Sequence, residues 1–242
     1  MERNFIGFPP NTICETSLKV QILANRDDFL AIDKPPNISS EKIIDHMRIP
    51  RKQLADLGIV SPKEIFIAEG ELSGIFLVAK TKKSAAELRN LYGSQLFTFT
   101  FDLLTLPTAV GKEITCDLPI AKHFSCDKMV ISHKTGKKSH TDFRLIENMG
   151  THEHWQAITH FPRQHQIRIH AHECGMKLIG ENLYASNTVD VTKKFLKTPN
   201  SKTHWSTQYL ALHLSCVECN SFPKIESPLP KKFQSLSKLL QK

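Results

Sequence analysis

The chain has 242 residues, which is long enough for one large domain or two small ones with a sizeable core. Its 32 Lys and Arg against 24 Asp and Glu give a formal net charge of +8, which favours a polyanionic partner such as nucleic acid. No stretch is long and apolar enough to predict a membrane span, and the first residues lack the pattern of a secretory signal.

The first elements predicted along the chain are a hairpin and a helical region. Residues 20–23 and 29–32 flank the turn-rich tetrapeptide 25–28, which predicts two antiparallel strands. Residues 41–57 are partly helical, and Pro50 interrupts the helix.

The stretch IFIAEGELSGIFLVAKT, residues 65–81, predicts a strand, a tight turn and a buried strand. Two carboxylates, Glu69 and Glu71, therefore lie at a turn between strands, where they either perform chemistry or only face water. A helix follows over residues 81–92, with Gly93 at its end.

Further strands alternate with turns. Phe97, Phe99 and Phe101 recur with period two, which indicates a strand with one buried face. Beyond it we predict a basic turn at 132–139, strands at 141–146 and 155–159, a surface loop at 186–207, and a closing helix from residue 231.

The six cysteines are scattered rather than paired, and they are Cys14, Cys116, Cys126, Cys174, Cys216 and Cys219. This usage favours a reducing compartment, so we expect a cytoplasmic location. Cys216 and Cys219 have the spacing of half a zinc site, but no second C-x-x-C pair exists. We therefore expect buried strand thiols and no metal, with a zinc-binding regulatory module as a weak alternative.

The segment from His160 to Ala185 concentrates polar side chains among apolar ones, including Arg163, His165, Gln166, Arg168, His170 and His172. Because Ile167 and Ile169 mark Arg168 as lying on a packed element, its charge needs a carboxylate or a phosphate opposite it. The alternative is a solvated helix face.

At this segment the sequence resembles a known family. RHQIRIHAHECGMKLIGENLYA, allowing for Gln164 after Arg163, resembles the signature R-x-H-Q-I-R-x-H-x-x-x-x-G-x-P-I-x-G-D-x-x-Y of RluA-type RNA pseudouridine synthases. Four other stretches resemble family motifs in the same order, and they are ILANRDDFLAIDKPPNISS, GIFLVAKT, GKKSHTDFRLIE and LALHLSCVECNSF.

The resemblance implies an α+β fold, a mixed and mainly antiparallel sheet with peripheral helices around a central cleft. It implies an extension at 1–17, a catalytic domain at 18–230 and a C-terminal helix at 231–242. Because the first motif begins close to residue 1, we expect the family's S4 domain to be absent. The implied activity isomerises a flipped uridine in structured RNA, either rRNA or tRNA, to pseudouridine, without a cofactor or a metal and as a monomer.

The resemblance also assigns site residues. Counting back from Ser73 and Gly74, the family's catalytic aspartate falls at Glu69 and the preceding arginine, which holds the RNA, falls at Ile67. Arg168 matches the arginine that pairs with the catalytic carboxylate, and Phe101 matches the tyrosine that stacks on the target base. The residues expected to bind RNA are Lys34, Lys137, Lys138, Arg163, His165 and Gln166.

Two hypotheses of different classes follow from these departures. In the first, the chain is a pseudouridine synthase that is weakened because the carboxylate of Glu69 lies one methylene further out. In the second, it is a catalytically inactive RNA-binding protein, for example in ribosome assembly.

Overall fold

The structure, a computed structural model, describes residues 4–10, 13, 17–184 and 209–240. The chain divides into two compact units, the first of residues 1–100 and 214–228 and the second of residues 101–213 and 229–242. The division predicted from the sequence, with an extension at 1–17, a catalytic domain at 18–230 and a C-terminal helix at 231–242, stays a prediction. The chain passes between the units three times, within the strands β6 (Phe97–Thr105) and β12 (Leu212–Cys219) and between residues 228 and 229.

The first unit is built on a sheet with the order β1-β2-β3-β5-β12-β6, in which β4 pairs with β5 and β13 pairs with β12. Its other strands are β1 (Phe5–Phe8), β2 (Leu18–Asn25), β3 (Phe29–Lys34), β4 (Lys63–Glu64), β5 (Ser73–Ala79) and β13 (Phe222–Glu226). Its helices are α1 (Ser40–Met47), α2 (Lys52–Asp56) and α3 (Lys82–Gly93).

Most elements predicted for this unit are confirmed. The hairpin pairs Ile22 with Ile32 in antiparallel register, and β5 is buried along its whole length. Helix α3 begins after Thr81, which exchanges hydrogen bonds with Ser84 in a capping box. The strand predicted at residues 65–67 is wrong, because the strand that pairs with β5 is limited to Lys63 and Glu64.

The second unit contains the strand order β6-β11-β10-β7 and a separate two-stranded sheet, β8 with β9. Its elements are β7 (Glu113–Cys116), β8 (Ile120–Lys122), β9 (Met129–Ile131), β10 (Thr141–Asn148), β11 (Glu153–Thr159), α4 (Gln166–Glu173) and α5 (Lys231–Leu240). The strands predicted at 141–146 and 155–159 are confirmed as β10 and β11, and the structure shows that they pair antiparallel, with a bulge after Leu145.

The closing helix α5 packs on a hydrophobic cluster of the second unit, as predicted. Phe233, Leu236 and Leu240 are buried together with Leu104, Ile179, Tyr209 and Ala211. The surface loop predicted at 186–207 lies outside the described residues. Among the helices of the described part of the chain, none is long and apolar enough to cross a membrane.

Candidate active site

The turn that carries Glu69 is held in place by aromatic packing rather than by a strand ladder. Residues 65–72 have no regular secondary structure. The buried ring of Phe66 contacts the rings of Phe99, Tyr92 and Phe76, with centroid distances of 5.2, 6.3 and 6.4 Å. Glu69 itself is partly exposed, so it lies at the surface of a turn whose backbone is held by the packing of Phe66.

A buried lysine supports the other side of this turn. The ammonium group of Lys34 donates hydrogen bonds to the carbonyl oxygens of Ile38, Pro35 and Gly70, at 2.8, 3.1 and 3.1 Å. Burial lowers the pKa of Lys34 to about 7, although the negative charges of Glu69, Glu71 and Asp33 act to raise it. The side chain is 1% exposed, so the structure does not support the predicted contact between Lys34 and RNA.

Gly74 closes the turn at a point where only glycine fits. Its φ is +107°, and a Cβ atom there would overlap the backbone oxygen of Leu214. The Ser73-Gly74 pair therefore has a structural reason, because the strand after the turn approaches β12 too closely for a side chain.

Helix α4 presents Arg168 from inside the second unit. Its guanidinium forms a two-pronged ion pair with Glu181, with 2.7 Å from Nε to Oε2 and 2.8 Å from Nη2 to Oε1. The side chains of Arg168 and Glu181 are 1% and 5% exposed. The sequence predicted a carboxylate, a phosphate or both opposite Arg168, but it missed that Glu181 supplies a carboxylate there.

Glu181 is fixed by more than the arginine. Its Oε1 also accepts hydrogen bonds from the backbone nitrogens of Leu183 and Tyr184, at 2.7 and 3.3 Å. Burial alone would raise the pKa of Glu181, but the hydrogen bonds and charge of Arg168 and the two backbone donors outweigh burial and lower it. Glu181 is therefore ionised, and Arg168 is held in one orientation.

Hydrogen bonds also hold the rest of α4 within its unit. The side-chain amide of Gln166 donates to Thr141 Oγ1, the carbonyl oxygen of His140 and Thr159 Oγ1, at 2.9, 2.8 and 3.1 Å. His170 bonds Thr141 Oγ1 through Nδ1, at 2.9 Å. Gln166 is 1% exposed, so the structure gives it an internal role and does not support its predicted RNA contact.

His165, just before α4, is likewise turned inward. Its Nδ1 forms a hydrogen bond of 2.8 Å with the hydroxyl of Tyr184, which also accepts a hydrogen bond from the backbone nitrogen of Met129. The residue is 5% exposed and has a left-handed backbone conformation with φ of +55°. A direct RNA contact of His165 is not supported either, because its ring already packs on Tyr184.

Three of the predicted RNA-binding residues do lie together. Lys137 and Lys138 are exposed on the basic turn, and Nε of Arg163 donates to the carbonyl oxygen of Lys138 at 3.1 Å. The guanidinium of Arg163 also lies 4.8 Å from the centroid of the Phe161 ring. We call Lys137, Lys138 and Arg163 the basic cluster, and its contact with RNA phosphate groups stays a prediction.

The remaining predicted site residues belong to different units. Glu69 lies in the first unit, and Arg168 and Phe101 lie in the second. Phe101 is 3% exposed, and the core positions predicted for Phe97 and Phe99 are confirmed, since both are fully buried. The pairing of Glu69 with Arg168 and the stacking of Phe101 on a base stay predictions. Cys216 and Cys219 are buried in β12, as predicted for strand thiols.

Comparison with known proteins defines the class to which this fold belongs. The human RNA pseudouridylate synthase domain containing 4 protein aligns with a TM-score of 0.74 and 17% sequence identity, over 91% of this chain and 92% of that one. The fold is therefore that of the pseudouridine synthases. No protein-family model matches the sequence.

Curated proteins with a similar sequence carry names of the same class. An uncharacterized RNA pseudouridine synthase of Synechocystis is 29% identical over 73% of this chain and 58% of its own length. A ribosomal large subunit pseudouridine synthase D of Pseudomonas aeruginosa is 23% identical, over 93% of this chain and 72% of its own length. The chain is similar to these RNA pseudouridine synthases, and it spans little more than half the length of the Synechocystis relative.

Proposed function

We propose that the chain isomerises uridine to pseudouridine in structured RNA, with Glu69 as the catalytic carboxylate, Arg168 as the residue that orients it and Phe101 as the ring that stacks on the base. The observation that carries the proposal is the buried ion pair of Arg168 and Glu181. The pair engages two of the three guanidinium nitrogens and so gives the family's arginine a defined orientation.

The reaction needs no chemistry beyond what these side chains supply. It breaks the bond from N1 to C1′, forms a bond from C5 to C1′, removes a proton from C5 and delivers a proton to N1, so atoms and electrons balance without a co-substrate. A carboxylate can serve such a reaction as nucleophile or as base.

Turnover should be slow because glutamate replaces aspartate. The longer side chain moves the carboxylate outward by about 1 Å, and a misplacement of that size costs on the order of 10²-fold in an aligned reaction. Phe101 also lacks the hydroxyl that the family's tyrosine carries.

The substrate that fits the charge distribution is a folded RNA, either ribosomal or transfer RNA. The basic cluster of the second unit offers three cations to phosphate groups. The Pseudomonas relative is named for the large ribosomal subunit, which favours ribosomal RNA as the first substrate to test.

A second candidate function, a catalytically inactive RNA-binding protein, is favoured by the three departures at Ile67, Glu69 and Phe101. All three fall on positions that the resemblance assigns to the reaction or to the opened RNA. The motifs that build the fold, in contrast, match the family.

The experiment is to incubate unmodified ribosomal and transfer RNA transcripts with the protein and to map pseudouridine. We expect slow formation by the wild type, loss in Glu69→Ala, and a rate increase of up to about 10²-fold in Glu69→Asp, because the shorter side chain restores the family's reach. Phe101→Tyr should add to that increase if the hydroxyl takes part.

The matched control is Glu71→Ala, since Glu71 is a partly exposed carboxylate on the same turn. Its rate should equal that of the wild type. Wild-type turnover that survives in Glu69→Ala would refute the assignment of Glu69. If neither the wild type nor Glu69→Asp with Phe101→Tyr modifies an RNA that the protein binds, the inactive RNA-binding function is correct.

A further inference from the structure

Two of the cysteines that are scattered in the sequence meet inside the second unit. Cys116 is the last residue of β7, and Cys174 is the residue that ends α4. Their side chains form a hydrogen bond with each other, and both thiols are free. Because the two residues are 58 positions apart, this contact is made by the fold and not by local spacing.

Hydrogen bonds of His170 tie together the two elements that carry these cysteines. Its Nδ1 bonds Thr141 Oγ1, and its Nε2 donates to the carbonyl oxygen of Leu118, each at 2.9 Å. Thr141 is the register partner of Cys116, and Leu118 follows Cys116 by two residues. The carbonyl oxygen of His170 accepts a hydrogen bond of 3.0 Å from the backbone nitrogen of Cys174. The end of β7 is therefore fixed against the end of α4 without any help from the thiols.

The two thiols differ in exposure and in acidity. Cys116 is 4% exposed, whereas Cys174 is partly exposed, so a reagent in solution reaches Cys174 first. The hydrogen bond from Cys174 lowers the pKa of Cys116 although burial opposes this, and hydrogen bonds from His170 and the backbone at Leu118 lower it further. The same hydrogen bond and burial raise the pKa of Cys174. The pair therefore combines one thiolate with one thiol.

Buried cysteines are common packing residues, so burial alone assigns no chemistry. The other cysteines with printed partners contact other chemical groups. Sγ of Cys126 lies 3.1 Å from Nδ1 of His123, and Cys216 donates to the carboxylate of Glu218 at 3.6 Å. Cys116 and Cys174 differ from these because each thiol faces another thiol and one of the two is open to solvent.

We propose that Cys116 and Cys174 are a redox-active dithiol, which closes to an intramolecular disulfide when a low-molecular-weight disulfide reaches Cys174. This inference does not rest on the proposed function. Disulfides in reducing compartments are usually transient and redox-sensing, and a pair in which one thiol is accessible and the second stands ready beside it suits that use.

The exchange needs no reactant besides the small disulfide. The sulfur of Cys174 attacks one sulfur of the reagent and passes its proton to Cys116, so the S–S bond of the reagent breaks and one small thiolate leaves. That thiolate takes the proton from Cys116, whose sulfur attacks the Cys174 sulfur of the mixed disulfide and releases the second small thiolate. The protein loses two electrons, and the reagent gains them as one thiol and one thiolate.

The disulfide would fasten the helix that carries Arg168. Cys174 lies six residues after Arg168, at the end of the same helix. A cross-link between positions 58 residues apart restricts the unfolded chain, while the native contact already brings the sulfurs together. Oxidation should therefore stabilise the second unit and leave its fold unchanged.

The first test uses the full wild-type chain and does not depend on the folding of a variant. The protein is incubated with glutathione disulfide and glutathione at several ratios, remaining thiols are blocked, and unreduced peptides are mapped by mass spectrometry. We expect a peptide that joins Cys116 to Cys174, with two of the six thiols lost, and its reversal by excess glutathione. If both residues stay thiols, or bond to other cysteines, at a ratio that already converts exposed Cys126 to a mixed disulfide, the proposal is overturned.

Single substitutions test the order of the two steps. In Cys116→Ser, the reaction should stop at a mixed disulfide of Cys174 with glutathione. In Cys174→Ser, the buried Cys116 should stay a thiol at the same ratios. The matched control Cys126→Ser should form the internal disulfide as the wild type does. Reaction of Cys116 in Cys174→Ser at the wild-type rate would overturn the assignment of Cys174 as the point of entry.

Thermal unfolding tests whether the native geometry suits the bond. The oxidised wild type should melt about 5 °C or more above the reduced protein, and Cys126→Ser should show the same rise. Cys116→Ser, treated in the same way, should show no rise. An unchanged or lower melting temperature of the oxidised wild type would mean that the bond forms only by distorting the fold, which would overturn the proposal.

Discussion

The turn at 65–72 and the segment around helix α4 hold their functional side chains by different forces. In the turn, the ring of Phe66 and the ammonium of Lys34 fix the backbone, and the side chains of Ile67 and Glu69 project from it. Around α4, the side chain of Arg168 is itself fixed, by the two-pronged pair with Glu181.

This difference explains where the sequence departs from the family pattern. The backbone of the turn is anchored by Phe66 and Lys34, so the exposed side chains can change while the backbone stays in place. Ile67 and Glu69 can therefore replace the family's residues without loss of the fold. A buried polar network tolerates few substitutions, because replacing one side chain leaves its hydrogen-bond partner buried without a partner of its own. The motif residues Gln166, Arg168 and His170 are accordingly retained.

The largest effect is expected from breaking the buried pair. Arg168→Met leaves the carboxylate of Glu181 buried without its cation, which should lower the free energy of unfolding by about 3–5 kcal/mol. Urea denaturation at pH 7 measures this change.

The double variant Arg168→Met with Glu181→Leu is the control. It replaces both charges with apolar groups of similar volume, so it should recover more than half of the lost stability while activity stays absent. A loss below about 1 kcal/mol in the single variant would contradict the view that α4 depends on its polar network.

An intermediate effect is expected at Lys34. Lys34→Met keeps the length of the side chain but leaves three carbonyl oxygens without their donor, which should cost about 1–3 kcal/mol of unfolding free energy. Because the turn also carries Glu69, turnover should fall as well.

The pH dependence of this loss identifies its origin. The folded pKa of Lys34, about 7, lies below its ordinary value of 10.5, so the unfolded chain binds more protons between these two pH values. The stability that Lys34 contributes therefore rises from pH 7 toward pH 10, and the difference between wild type and Lys34→Met should grow with it. Lys82→Met, on the exposed face of α3, should show no such growth. If the difference in unfolding free energy between the wild type and Lys34→Met stays constant with pH, the amino group of Lys34 is exposed to water in the folded protein.

The smallest effect per residue is expected at the basic cluster. Removing Lys137 or Lys138 should weaken binding to folded RNA at low salt and reduce the slope of log affinity against log salt by about 0.7–0.9 for each phosphate that the protein no longer neutralises. Lys83→Ala, on α3, is the matched control, since its side chain is also exposed. If the slope of log affinity against log salt is unchanged in Lys137→Ala and Lys138→Ala, the basic cluster is not part of the RNA-binding surface.

The sequence predicted elements well where one periodic pattern decides the structure. Helix α3, strands β10 and β11 and helix α5 follow from spacing and capping alone. The strand predicted at 65–67 is wrong, because apolar residues can also be buried without the hydrogen-bond ladder of a sheet. Phe66 is buried in this way, among the rings of Phe76, Tyr92 and Phe99.

The candidate site was predicted less completely, because partners are chosen by tertiary structure. Arg168 was expected to face a carboxylate, but Glu181, 13 residues later, became visible only in the fold. Its place in the family signature, after Gly180, was the signal that could have found it. Lys34 is predicted from the sequence to bind RNA, and only the fold places three carbonyl oxygens around its ammonium.

The packing of helix α5 sets a practical limit on how the chain can be shortened. Phe233, Leu236 and Leu240 cover Leu104 and Ile179 in one hydrophobic cluster. A recombinant protein that ends before residue 231 would expose this cluster to water as a contiguous apolar patch, which promotes aggregation. Expression boundaries for biochemical work must therefore retain residues 231–240, even though they lie far from the candidate catalytic turn in sequence.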